Sequence, residues 1–134
     1  MTRLDPAAVT ILTRARILVV NGWLSGAEGC GAYLSVEKPQ DFRRLVYSLS
    51  DLPLDGAVLD GARFCAAAAI EQAAAERGWS GTPAVDEARR ALSDVIRGKQ
   101  AAYGLLAPWN DATGRRKADV LAAFDAAIIN ASGK

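Results

Sequence analysis

Apolar residues recur along this chain at three- and four-residue steps, in blocks separated by glycine, proline and short polar runs. That spacing gathers them on one face of a helix. The first block is Ala8, Ile11, Leu12, Ala15, Leu18 and Val19, with Thr10, Thr13 and Arg14 off the stripe. Asp5-Pro6 just ahead supplies a capping carboxylate and a proline at the first helical position, where no N–H is needed. The helix is expected to end at Asn21, with Gly22 taking the left-handed conformation. A second helical pattern covers Asp60 to Arg77 and exits at Gly78. Its centre, from Phe64 through Cys65 and four alanines to Ile70, is apolar on every side, as a helix buried inside a bundle must be.

Thr82-Pro83 announces a third helix, with Asp86 and Glu87 near the positive end of its dipole. Val85, Ala88, Leu92, Val95 and Ile96 form its stripe, and Gly98 stops it. A fourth runs from about Arg116 to Asn130, turning Val120, Leu121, Phe124, Ala127 and Ile128 to the core. Phe42, Leu45, Val46 and Leu49 predict a short helix near 39–50. Residues 22–38 read as an irregular glycine-rich loop with a brief extended piece at Tyr33–Val36, and 131–134 as a frayed tail. Asn21-Gly22-Trp23 and Arg77-Gly78-Trp79 both set Gly-Trp at a helix exit, where the ring can pack back on the last turn. Strand alternation is nearly absent. The expected fold is all-α: one domain over 1–134, built as a bundle of four main helices plus the short one.

Composition narrows the chemistry more than it shapes the fold. The 134 residues hold 27 alanines, three each of Trp, Tyr and Phe, and no histidine. Lacking histidine, the chain has no Ser-His-Asp or Cys-His catalysis and no imidazole-ligated zinc. Sixteen basic against 15 acidic residues leave a net charge of +1, which argues against a nucleic-acid coat. The start of the chain lacks the form of a signal peptide, and no apolar run is long enough for a membrane span. Cys30 and Cys65 are too few for a disulfide framework and read as reduced thiols. The expectation is a soluble, cytoplasmic protein with no metal, no cofactor and no membrane attachment.

The segment Pro108-Trp109-Asn110-Asp111-Ala112-Thr113-Gly114-Arg115-Arg116-Lys117 stands out. It places an aromatic ring, an amide, a carboxylate and three cations beside a helix start, where the dipole favours anions. One reading makes it a contact surface, or an anion site with phosphate on free N–H groups and clamped by Arg115 and Arg116. The other has Asp111 and Asp119 neutralise the cluster while Asn110 and Thr113 make turn or cap bonds. Cys65 reads as a small core residue and Cys30 as an exposed thiol without a neighbouring base. No pair of carboxylates is singled out for acid–base work, and no catalytic residue is assigned.

Gly22-Trp23, then Phe64-Cys65-Ala66, then Trp109-Asn110-Asp111 with Gly114-Arg115 ahead of Lys117-Ala118-Asp119-Val120-Leu121 form an ordered series. In that order they resemble a small bacterial and phage family, domain of unknown function 6197. The resemblance spans most of the chain; its most specific parts are the C-terminal segment and the aromatic-Cys-Ala anchor. Two departures stand out. Arg116 replaces a frequent threonine that would cap the helix with an acidic residue three places on, so the start is expected to shift toward Thr113. The connection before Phe64 is also longer. The resemblance implies no activity, but it makes Cys65, Trp109, Asn110 and Asp111 candidates for one joint feature, structural or functional.

The leading expectation is therefore a noncatalytic helical interaction module of phage or mobile-element association, meeting a protein partner through Trp109, Asn110, Asp111, Arg115, Arg116 and Lys117. The alternative is a small-molecule or nucleotide-binding protein, or an enzyme, with an anion site at Asn110, Asp111, Arg115 and Arg116. Nucleic acid ranks third, because the basic residues are scattered rather than striped. Periodicity leaves the oligomeric state open.

Overall fold

The computed structural model describes residues 6–24, 32–34, 52–97, 106–110, 112 and 114–133. Helix covers 71% of these residues, about twice the share of an average globular domain, so the all-α class holds. The elements are α1 (Pro6–Asn21), β1 (Ala32–Leu34), α2 (Gly56–Asp60), β2 (Ala62–Phe64), α3 (Ala66–Ala75), α4 (Pro83–Arg97), α5 (Leu106–Asn110) and α6 (Lys117–Ala131). The expected short helix at 39–50, Asp5, Cys30 and Gly98 lie outside the described residues.

The central helix is α1, which packs on α3, α4 and α6; α4 also lies against α6. Its buried residues are Ala8, Ile11, Leu12, Ala15, Leu18 and Val19, the six of the predicted stripe. Val85, Ala88, Leu92 and Ile96 of α4 and Val120, Phe124 and Ala127 of α6 join the same core, with Val95, Leu121 and Ile128 at its margin. In α3 every residue except Glu71 is buried. Its alanines admit helices on all sides because they add so little bulk. Among the described residues three ion pairs tie the helices across their rims: Arg14–Glu76 at 2.8 Å, Arg16–Asp125 at 2.6 Å and Arg89–Glu71 at 3.0 Å.

The helix expected over Asp60–Arg77 is broken at its front. Residues 62–64 are a strand, antiparallel to β1 with Ala32 opposite Phe64, Tyr33 opposite Arg63 and Leu34 opposite Ala62. On its other side the Phe64 N–H donates to the Gly22 carbonyl (2.8 Å), and the Leu24 N–H donates to the Phe64 carbonyl (3.0 Å). Both edges of β2 thus take backbone bonds that a helix would have used internally. Ala62 and Phe64 are buried and Arg63 is exposed. So short an apolar pattern fits a period of 2 or of 3.6 alike, which is why the strand escapes a periodicity reading.

The two Gly-Trp exits also differ. Gly78 has φ of +74°, the Gly78 N–H reaches the Ala75 carbonyl and the Trp79 N–H reaches the Ala74 carbonyl, a full Schellman motif. Gly22 does not adopt left-handed backbone. A Cβ there would sit 2.7 Å from the Ala62 carbonyl oxygen, so it is the close approach of β2 that requires glycine. At the start of α4 the Thr82 hydroxyl donates back to the Trp79 carbonyl (2.6 Å) instead of capping the helix. At the other end of the chain α6 reaches one residue past Asn130, and Ala131 is buried.

Candidate functional site

Asn110, the last residue of α5, is fully buried, one of two buried polar side chains among the described residues. Its Oδ1 accepts from the Trp23 indole Nε1–H at 2.8 Å and from the Ala66 backbone N–H at 3.1 Å. Its Nδ2 donates to the Leu24 carbonyl at 2.8 Å. One amide therefore joins the exit of α1, the start of α3 and the end of α5. Ala66 is the first residue of α3, so its N–H has no partner within the helix. Cys65, also fully buried, is the N-cap of the same helix, and its sulfur accepts from the Ala68 N–H at 3.5 Å. The conjunction of Cys65 with Asn110 is thus two caps on one buried helix start. Without them, buried donors would lie unsatisfied at about 1–3 kcal/mol each.

Trp109 is also buried, at 7% exposure, and is not a surface ring. The Arg115 guanidinium lies 4.3 Å above its ring centroid, and Arg115 Nε donates to the Trp109 carbonyl at 2.9 Å. Arginine over an indole is worth about 0.5–2 kcal/mol, depending on desolvation. The Trp109 Nε1–H has no hydrogen-bond partner among the described residues. Asp111 and Thr113 lie outside the described residues.

Downstream, Gly114 takes φ of +85° and turns the chain into α6. The start of α6 does not shift toward Thr113: Arg116 is the N-cap and Lys117 the first helical residue. Arg116 has no acceptor to offer, so Asp119 supplies the whole cap. The Asp119 carboxylate accepts from the Arg116 backbone N–H at 2.9 Å and from its guanidinium at 3.3 Å. These two bonds, the backbone one first, hold the Asp119 carboxyl below its ordinary range. The Lys117 ammonium reaches the carbonyl of Val20 at the end of α1. Neither Arg115 nor Lys117 meets a carboxylate among the described residues, whereas Arg116 does.

Gln72, the other buried polar residue, carried no signal in the sequence beyond its place in an alanine-rich helix. Its Oε1 accepts from the Leu54 N–H (2.8 Å), and its Nε2 donates to the Leu54 carbonyl (2.9 Å) and to Glu76 (2.8 Å). Glu76 in turn takes a two-pronged bond from Arg14, at 2.8 and 3.2 Å. Partial burial pushes the Glu76 carboxyl up, but the bonds from Arg14 and Gln72 and the charges of Arg14 and Arg77 outweigh it and lower it. A cavity of about 210 Å³ lies between α1, α2 and β2, lined by Arg14, Leu18, Asp60 and Phe64 among others. None of Trp109, Asn110, Arg115, Arg116 or Lys117 lines it.

The fold and this corner together define a small helical domain whose central helix and buried α3 start are pinned by one amide. The model of a family of unknown function (DUF6197) matches residues 1–130, and the chain belongs to that family. No curated protein and no solved structure matches it. Among the described residues no helix is long and apolar enough to cross a membrane, and no group of His, Cys, Asp and Glu is placed to hold a metal ion.

Proposed function

We propose that this chain is a noncatalytic interaction module of the cell interior, bacterial or phage-borne, that binds a protein partner through the 109–117 segment. The segment divides the work: Trp109 and Asn110 anchor it, and Arg115, Arg116 and Lys117 make the contact. The observation that supports this reading is the state of the cations. Arg115 and Lys117 rest on carbonyl oxygens and a ring, with no carboxylate in ion-pair contact among the described residues, at a helix start whose dipole adds positive charge; the nearby Asp119 is bonded to Arg116 and feels Arg115 through its charge alone. An acidic patch on a partner would meet this surface with complementary charge.

Reading the segment as a nucleotide or anion site, with Asn110 orienting the ligand, has less support, because three protein groups already occupy that amide. The test is a pull-down from native host lysate with wild type and the Arg115→Glu/Arg116→Glu variant. The variant loses the Arg115 stacking on Trp109 and sets a second carboxylate beside Asp119; it is expected to be destabilised by about 1–3 kcal/mol, to remain folded by circular dichroism, and to lose the partner. Full retention of the partner by the folded variant would overturn the reading.

A further inference from the structure

We infer that the partner surface extends from the cations along the outer face of α1 and α6, and that its occupant is an acidic amphipathic helix of another protein; the inference rests on the reading above. Arg16 pairs with Asp125, and Lys117 reaches Val20, so α1 and α6 run antiparallel with residue 20 beside 117 and residue 16 beside 125. Thr13, Arg16, Ile17 and Val20 share one face of α1 at i, i+3, i+4 and i+7, and Ile129 stands one turn beyond Asp125 on α6. Ile17, Val20 and Ile129 are the exposed large apolar side chains of the described residues, at 44%, 40% and 54%, and all three fall on this two-helix face. Scattered singly they would need no explanation; gathered on one face they mark a contact surface.

The polar groups between them are already satisfied. Arg16 and Asp125 neutralise each other, and the Thr13 hydroxyl is turned onto the Val9 carbonyl at 2.8 Å. The middle of the face therefore asks little of a partner but apolar contact. Its α6 N-terminal end asks for negative charge: Arg115, Arg116 and Lys117 stand there with Asp119 the carboxylate bonded among them. A second copy docked two-fold and antiparallel would bring the Ile129 end to those cations, and among the described residues that end offers no unpaired carboxylate. Charge complementarity thus favours an apolar stripe edged by Asp or Glu, seated as a helix along the α1–α6 seam.

The test is a titration of the isotope-labelled full chain, followed by NMR. The probe is a synthetic helix of about four turns, with leucine on one face and glutamate at its edges; a control peptide carries lysine for each glutamate. The acidic peptide is expected to shift the methyls of Ile17, Val20 and Ile129 and the amides of Arg116 and Lys117. The lysine peptide should bind at least roughly tenfold more weakly, and so should the acidic peptide to the Ile17→Ser/Ile129→Ser variant. Those two positions are exposed, so the variant folds, and its spectrum verifies this directly. Shifts confined to Arg116 and Lys117, with the methyls unmoved, would overturn the α1–α6 surface and leave the cationic contact standing. Equal binding of both peptides, or no binding, would overturn the acidic helix as occupant. A sedimentation mass of two copies that falls to one on Ile129→Ser would assign the face to self-association instead. Failure of the broader reading is separate, being read from partner retention by the Arg115→Glu/Arg116→Glu variant.

Discussion

Trp109–Asn110 and Arg115–Lys117 lie within one short stretch of chain, yet the first pair is buried, while Arg116 is exposed and Arg115 and Lys117 are half-buried at the rim. Asn110 makes three hydrogen bonds to groups 44 to 87 residues away in sequence. The side chains of Arg115 and Arg116 bond, among the described residues, within six residues of themselves, to Trp109 and Asp119, and Lys117 alone of the three reaches far along the chain, to the Val20 carbonyl. Long-range bonds to a fully buried amide fix the fold, because a buried group left without its mate stays desolvated. Short-range bonds at an exposed helix start hold local geometry and can be exchanged for a partner's at little cost. The contrast shows that a cluster of polar residues adjacent in sequence can split between a buried scaffold and a solvent-facing rim.

The sharpest way to break that comparison is to delete the amide. Asn110→Ala leaves the Trp23 indole N–H, the Ala66 N–H and the Leu24 carbonyl without their partner. It is expected to destabilise the fold by about 3 kcal/mol or more in chemical denaturation. A loss under about 1 kcal/mol would mean that the corner is wet or pliable and that the buried half is no anchor.

A smaller effect sharpens the comparison at a second site, the rim pair above Gln72. Because the Glu76 carboxyl is lowered in the folded chain, its contribution to stability is present above the ordinary carboxylate range and is lost as pH falls through its folded value. Wild type should exceed Glu76→Gln by about 0.5–1 kcal/mol at pH 7, with the two converging in acid. Curves that stay parallel down through the carboxylate range would show that the Arg14–Glu76 pair adds nothing.

Much of the fold was legible because helices announce themselves locally. The six buried positions of α1 follow from spacing alone, and Pro83 and Gly78 mark a helix start and end by backbone chemistry any reader can apply. Less legible were the features made by distant partners. Nothing near Ala62-Arg63-Phe64 says that Gly22–Leu24 will pair with it, and nothing near Gln72 says that it will hold Leu54 by both backbone groups. The candidate segment was found because its composition is odd for a helix start, and Asn110 was picked out with it. Its role was left open for the same reason: an amide is equally suited to turn, ligand and buried clamp, and only the partners it meets in space decide. Cys65 shows the other side of this, since a small buried thiol was expected and its capping bond to Ala68 is a local consequence of the helix starting there.

The most direct test of the central claim needs no substitution. Hydrogen exchange of the folded chain, followed by NMR, reads the Trp23 indole N–H and the Ala66 amide against the amides of Arg115 and Ala118. If Asn110 is the anchor, the first two exchange only with global unfolding, at a protection set by the whole fold's stability, while the second two exchange through local opening and far faster. A Trp23 indole N–H and an Ala66 amide that exchange as quickly as those at the start of α6 would contradict the account.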